Sequence, residues 1–239
     1  MKIKLFIYGF LLCTVYFSSC ASQINGVLRQ GGSADLHIQA AMEPRMTMFI
    51  RSLRTVMGNT GPDYILDGPS IGRSIADSPG VQSVSLQNSG PGAINGNITV
   101  NKIEDFLSLT SGRRFITYSE STSAGRPAGT MHIYLDRETA PELIALLSAE
   151  AVEYLSALMA PAVLGEDISK EEYLALVSSL YGRPIAGEIN ESMIRAQIDF
   201  PGAITSIRGG TANGNRAVFT VPLLDLLVLE TPISLEANW

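Results

Sequence analysis

Apolar residues fall along this chain in three rhythms, and each rhythm predicts a different kind of element. Residues 5–17 form an almost unbroken apolar run of thirteen behind Lys2 and Lys4. Strict alternation marks half-buried strands: Leu36, Ile38 and Ala40 alternate with Asp35, His37 and Gln39. Ile194, Ala196, Ile198 and Phe200 do the same late in the chain, as do Ile233, Leu235, Ala237 and Trp239. The Gly31-Gly32-Ser33 step between residues 24–29 and 34–40 predicts a hairpin, and Gly90-Pro91-Gly92 joins a second pair, 81–87 and 93–100. Two further strands, 114–119 and 130–135, flank the polar stretch 122–129, and 217–221 makes another before an apolar segment at 222–229.

Helical spacing appears in five places. After Pro44, the residues Met48, Phe49, Leu53, Val56 and Met57 make one stripe, with Gly58 placed as a C-cap. Residues 103–109 form a short helix, and 70–76 one or two turns. Between Thr139 and Met159, Leu143, Ile144, Leu146, Leu147, Val152, Leu155 and Leu158 recur at helical intervals. Glu142, Glu150 and Glu153 within that segment argue against a membrane span. Ser169 and Glu172 have the spacing of a capping box, and the helix they start runs to Gly182, where Arg183-Pro184 forbids continuation. Strands before and after a helical block, without regular βαβ alternation, predict an α+β fold: an antiparallel β-sheet packed against helices, with a helical hairpin (about residues 137–183) inserted between strands.

Composition changes this picture little. At 46% hydrophobic and 17% charged residues, the 239-residue chain is too apolar for disorder, and two cysteines are too few for a disulfide scaffold. A net charge of −6 speaks against nucleic acid as a partner.

The N-terminal run matters more. It is shorter than the ~20 apolar residues that span a bilayer, and it ends in Ser18-Ser19, so residues 1–19 read as a secretory signal peptide. Phe17-Ser18-Ser19-Cys20 resembles a bacterial lipobox, in which the cysteine thiol is diacylated and becomes the new N-terminus. That resemblance implies lipidation at Cys20, with palmitate among the expected acyl groups, and one mature domain over residues 20–239 held at the membrane by its lipid. Ala21 after the cysteine favours the outer membrane or periplasmic face of the envelope. Loss of Lys2 and Lys4 leaves 15 basic against 23 acidic side chains, a net charge of −8. An anionic lipid surface would repel such a domain, so attachment has to rest on acyl chains, at ~0.8 kcal/mol per buried methylene.

Two short stretches, Gly31-Gly32-Ser33-Ala34-Asp35-Leu36 and Asp199-Phe200-Pro201-Gly202, resemble the turns of LppM-type bacterial lipoproteins. The resemblance implies an α+β envelope domain with a role nearer to lipid or glycolipid binding than to catalysis.

Candidate chemistry is sparse. Gly68-Pro69-Ser70-Ile71-Gly72 has the letters of a nucleophile elbow, which needs a strand, a sharp turn with an exposed Ser70, and a helix. Its histidine would have to be His132, and Pro69 removes backbone freedom beside the serine. A Gly/Pro turn into a helix explains the letters as well. His37, His132 and Asp35 could approach a metal set if their strands were neighbours, but no further strong ligand lies at ligand spacing. No phosphate-binding glycine loop and no C-x-x-C is present, so neither cofactor nor metal is expected.

The apolar surplus is the more suggestive feature. Met42, Met46, Met48, Met57, Met159 and Met193 are soft groups suited to irregular cavities, and Leu223, Leu224, Leu226, Leu227, Val228 and Leu229 are interrupted only by Asp225. Core filling accounts for both; so does a pocket for a lipid tail between helices and sheet. The expectation is therefore a non-enzymatic, lipid-anchored envelope protein that binds an amphiphile or an envelope protein. The alternatives are an adaptor without a small ligand and a serine hydrolase using Ser70.

Overall fold

The computed structural model describes residues 21–56, 64–106, 114–123, 125–147 and 155–239. The signal segment, Cys20, Met57 and Gly58 lie outside the described residues, as does the middle of the long apolar stretch at 148–154.

The fold is α+β, built on two sheets rather than one. The first hairpin forms as its alternation predicts: β1 (Ala21–Leu28) pairs antiparallel with β2 (Ala34–Ala41), Gly26 opposite Leu36. The second hairpin, β3 (Val81–Gly90) and β4 (Ala93–Val100), joins it through β2 and β4. On the other side β1 runs parallel to β7 (Met193–Asp199), which pairs antiparallel with β10 (Arg216–Pro222) and through it with the short β9 (Gly210–Asn213). The seven-stranded sheet thus reads β3-β4-β2-β1-β7-β10-β9, mixed at its β1–β7 seam. That parallel seam follows from the long helical excursion separating the two strands, since parallel neighbours need a crossover.

The second sheet has the order β5-β6-β11-β8. In it β5 (Ile116–Ser123) and β6 (Arg126–Leu135) extend well into the polar stretch 122–129, which is therefore a tight hairpin. Next come β11 (Ile233–Asn238) and the three-residue β8 (Ser206–Arg208). Leu28, Ile98 and Phe219 of the large sheet and Met131, Ala237 and Trp239 of the small one share one apolar core.

Helices build a second core beside it. Helix α1 (Pro44–Val56) follows β2, and α2 (Gly68–Ala76) precedes β3. The buried face of α1 carries Met46 and Ile50 with Phe49 packed beside them, while Met48 is 60% exposed. The buried face is thus rotated from the sequence stripe by a contact distant in sequence: the Phe49 ring packs tilted against Tyr181, with centroids 4.7 Å apart, while Met48 faces outward. Residues 103–106, expected to begin a helix, are a turn that buries Ile103 and Phe106.

Within the helical block, α3 (Ala140–Leu147) and the four-residue α4 (Pro161–Leu164) precede α5 (Lys170–Tyr181). The capping box is present in full: Ser169 Oγ accepts from the Glu172 N–H at 3.2 Å, and Glu172 accepts from the Ser169 N–H at 2.8 Å. Gly182, at φ 91°, ends α5 and starts α6 (Arg183–Glu191). Arg183-Pro184 does stop α5, but proline in a first turn equally opens a helix. Among the described residues of this block, α5 and α6 are the helices that pack most closely together. Helix α7 (Leu223–Val228) links the two sheets and buries Leu224, Leu227 and Val228 in the helical core.

Candidate functional site: an apolar cleft at one end of the large sheet

The β1–β7 and β7–β10 registers bring several chain ends to one place. Ala21 sits opposite Met193, and Met193 opposite Pro222, while Ala41 at the end of β2 faces Ala93. Helix α1 leaves this end, α6 arrives at it, and α7 starts from it. Between the sheet end and those helices lies a cleft of about 410 Å³, within the ~300–1,000 Å³ of small-molecule pockets.

Its walls are Met42 just before α1, Met46 in the first turn of α1, Met193 and Ile194 from β7, Leu66, Leu223 from α7, and Ser22 of β1. Sequence reasoning named Met42, Met46, Met193 and Leu223 as soft or apolar groups for a lipid-tail pocket, and these four are brought together here. Met159 is elsewhere, Met48 faces solvent, and most of the leucine run of α7 fills the core. Leu66, Ile194 and Ser22 carry no sequence signal as pocket residues.

Two carboxylates stand in this apolar wall, Glu43 and Glu188. The Glu188 carboxylate accepts from the Met46 N–H at 2.9 Å, capping the first turn of α1 from the neighbouring helix, where an anion also meets the positive end of the helix dipole. Arg45 approaches it only to 4.0 Å and is itself largely exposed. Burial is the main influence on Glu188 and raises its pKa; the Met46 hydrogen bond pulls the other way, and nearby Glu43 adds to the rise. The part of the cleft lined by Glu43 and Glu188 therefore disfavours further negative charge.

The other sequence candidates have separate surroundings. Ser70 lies in the first turn of α2, preceded at residues 64–67 by bends rather than a strand, so the strand of a nucleophile elbow is not formed. Its hydroxyl accepts from Arg73 at 2.9 Å. The two glycines of the motif have a packing reason instead. A Cβ at Gly68 would stand 2.9 Å from the Gln87 backbone, and one at Gly72 would touch Val84 and Leu86, so the i, i+4 pair lets α2 lie flat on β3.

His132 is on β6 in the small sheet, with Nε2 2.9 Å from Ser234 Oγ. His37 and Asp35 do share one face of β2, but His37 Nδ1 meets Asn97 Oδ1 at 2.9 Å and Asp35 pairs with Arg29 and Thr99. The two histidines belong to different sheets. Among the described residues no group of three His, Cys, Asp or Glu side chains gathers as a metal set. The face around His37 is an open groove of about 540 Å³ with a mixed polar and apolar lining, whose aspartates Asp35 and Asp199 are each paired with an arginine. No described helix is long and apolar enough to cross a membrane.

No family model matches the chain, and no curated protein matches it. Among solved structures, the folded domain of the Mycobacterium tuberculosis LppM protein aligns over 92% of this chain and 88% of that one, at 12% identity and a TM-score of 0.37. That protein bears the name of the family whose turns this sequence resembles. A match so loose transfers no ligand, partner or activity.

Proposed function

We propose that the protein is a non-enzymatic component of a bacterial cell envelope, anchored by lipid on Cys20, and that its cleft accepts the acyl chain of a membrane amphiphile. The observation that carries this reading is the cleft itself: soft, apolar walls contributed by Met42, Met46, Met193, Ile194 and Leu223, enclosing about 410 Å³. Methionine suits a chain of variable shape, because its unbranched thioether repacks at little cost. Each methylene moved from water into such a site contributes ~0.8 kcal/mol. The N-terminal lipobox resemblance supports the anchor, and Ser22, two residues after Cys20 in the chain, is one of the residues lining the cleft.

Mass spectrometry of gently extracted protein tests both parts. The expected result is a Cys20 bearing acylglyceryl mass, together with a co-purifying neutral lipid that Met193→Trp, which fills the cleft, reduces about tenfold. An unmodified Cys20 would overturn the anchor, and lipid carried equally by the Met193→Trp chain would overturn the cleft.

A further inference from the structure

We infer that the cleft is the resting place of one of the protein's own acyl chains, carried on Cys20. This inference rests on the proposed anchor and on the cleft as an acyl site, and goes further by naming the occupant. Three observations carry it.

The first is reach. Ser22 lines the cleft, and Cys20 precedes it by two residues, so even a fully extended chain separates their Cα atoms by only ~7 Å. The residues paired with Ala21 and Ser22 across the parallel seam are Met193 and Ile194, two walls of the cleft. The seam thus holds the base of the tether against the cavity that an attached chain would enter.

The second is charge. Glu43 and Glu188 border the apolar walls. A free fatty acid or an anionic phospholipid would bring a negative headgroup to them. The thioether and esters of an acylated cysteine bring none, and a diacylglyceryl group is neutral throughout.

The third is concentration. A ligand on a short tether presents itself at an effective concentration in the millimolar range, far above that of a dilute free lipid. A chain docked in the cleft leaves the remaining acyl chain or chains to hold the bilayer. One chain alone gives only marginal, reversible attachment. Docking and undocking would therefore set how firmly the protein is held.

The test compares the full mature chain, acylated on Cys20, with Cys20→Ala, both with labelled methionine methyls and in micelles of fully deuterated detergent. In the acylated protein the methyls of Met42, Met46 and Met193 should show magnetisation transfer from acyl methylenes. In Cys20→Ala that signal should be absent until protonated monoolein is added, which should then bind at least tenfold more tightly than to the acylated chain. A polar spacer of several Gly and Ser residues inserted after Cys20 should restore part of the monoolein binding. If the acylated chain shows no transfer and takes monoolein as well as Cys20→Ala does, the own-chain occupant is overturned while the acyl site stands. If Cys20→Ala takes no monoolein, the cleft as an acyl site falls with it. A mature chain without acyl mass on Cys20 overturns the inference through its anchor.

Discussion

Glu188 does two jobs with one carboxylate: it caps α1 through the Met46 N–H and lends negative charge to the cleft. Burial raises its pKa in the folded chain, so between the ordinary glutamate value and the raised one the folded state holds more protons than the unfolded state. Its effect is therefore absent below that window, and stability falls as pH rises through it. Glu188→Gln keeps an acceptor for the Met46 N–H and loses the charge; its pH–stability curve, followed by chemical denaturation, should stay flatter from about pH 4 upward. Asp199 behaves oppositely. The hydrogen bonds from Arg216, at 2.6 and 3.0 Å, hold its carboxyl below the usual range. That contribution is full above about pH 4 and is lost as pH falls through the lowered value. Asp199→Asn should thus soften the acid limb of the same curve and leave the neutral region nearly unchanged, since a pair this exposed contributes little.

Among the elements, helix α5 is the one whose residues were most legible in advance. Ser169 and Glu172 announced its start, and the structure forms both reciprocal bonds. Ser169→Ala should cost about 1 kcal/mol, read as a shift of the denaturation midpoint. Tyr173, one turn in, is fully buried and donates to the Leu158 carbonyl at 3.1 Å. Tyr173→Phe should cost a further ~1 kcal/mol, because the Leu158 oxygen loses its partner without any loss of ring packing. Helix α6 was hidden by the same local rule that revealed the end of α5. Arg183-Pro184 marks a break, and a break does not say whether a second helix begins there. Only Ile185, Ala186 and Ile189, buried against α1 and α5, decide that it does. The rotation of α1 has the same origin. Its sequence offers apolar residues on more than one face, and the packing of the Phe49 ring against Tyr181 selects one.

At the scale of the whole molecule, two sheets meet around Trp239. Its ring lies 5.0 Å from Phe200 and 5.8 Å from Tyr118, and its backbone exchanges hydrogen bonds with Gly129 at 2.9 and 3.0 Å. A Cβ at Gly129 would stand 2.5 Å from the indole, so that glycine is the space the ring needs. Trp239→Ala should cost about 3–5 kcal/mol, measured by denaturant unfolding, and should loosen the join between the sheets. Filling the cleft is predicted to behave differently: Met193→Trp should leave the melting temperature of the ligand-free protein within a few degrees of the parent and abolish its rise with added monoolein. By itself the sequence determined most of the strands but not the short β8 and β9, together with the hairpins, the capped helix and the four soft or apolar residues suited to a tail pocket, because alternation, turn chemistry and capping act within a few residues. Only the tertiary structure decided that the strands divide into two sheets, that β1 and β7 run parallel, and that Met42, Met46, Met193 and Leu223 meet one another with Glu188 among them. Those facts depend on which distant segments bury each other's apolar faces, and register between strands far apart in sequence is set by that burial, not by any local pattern.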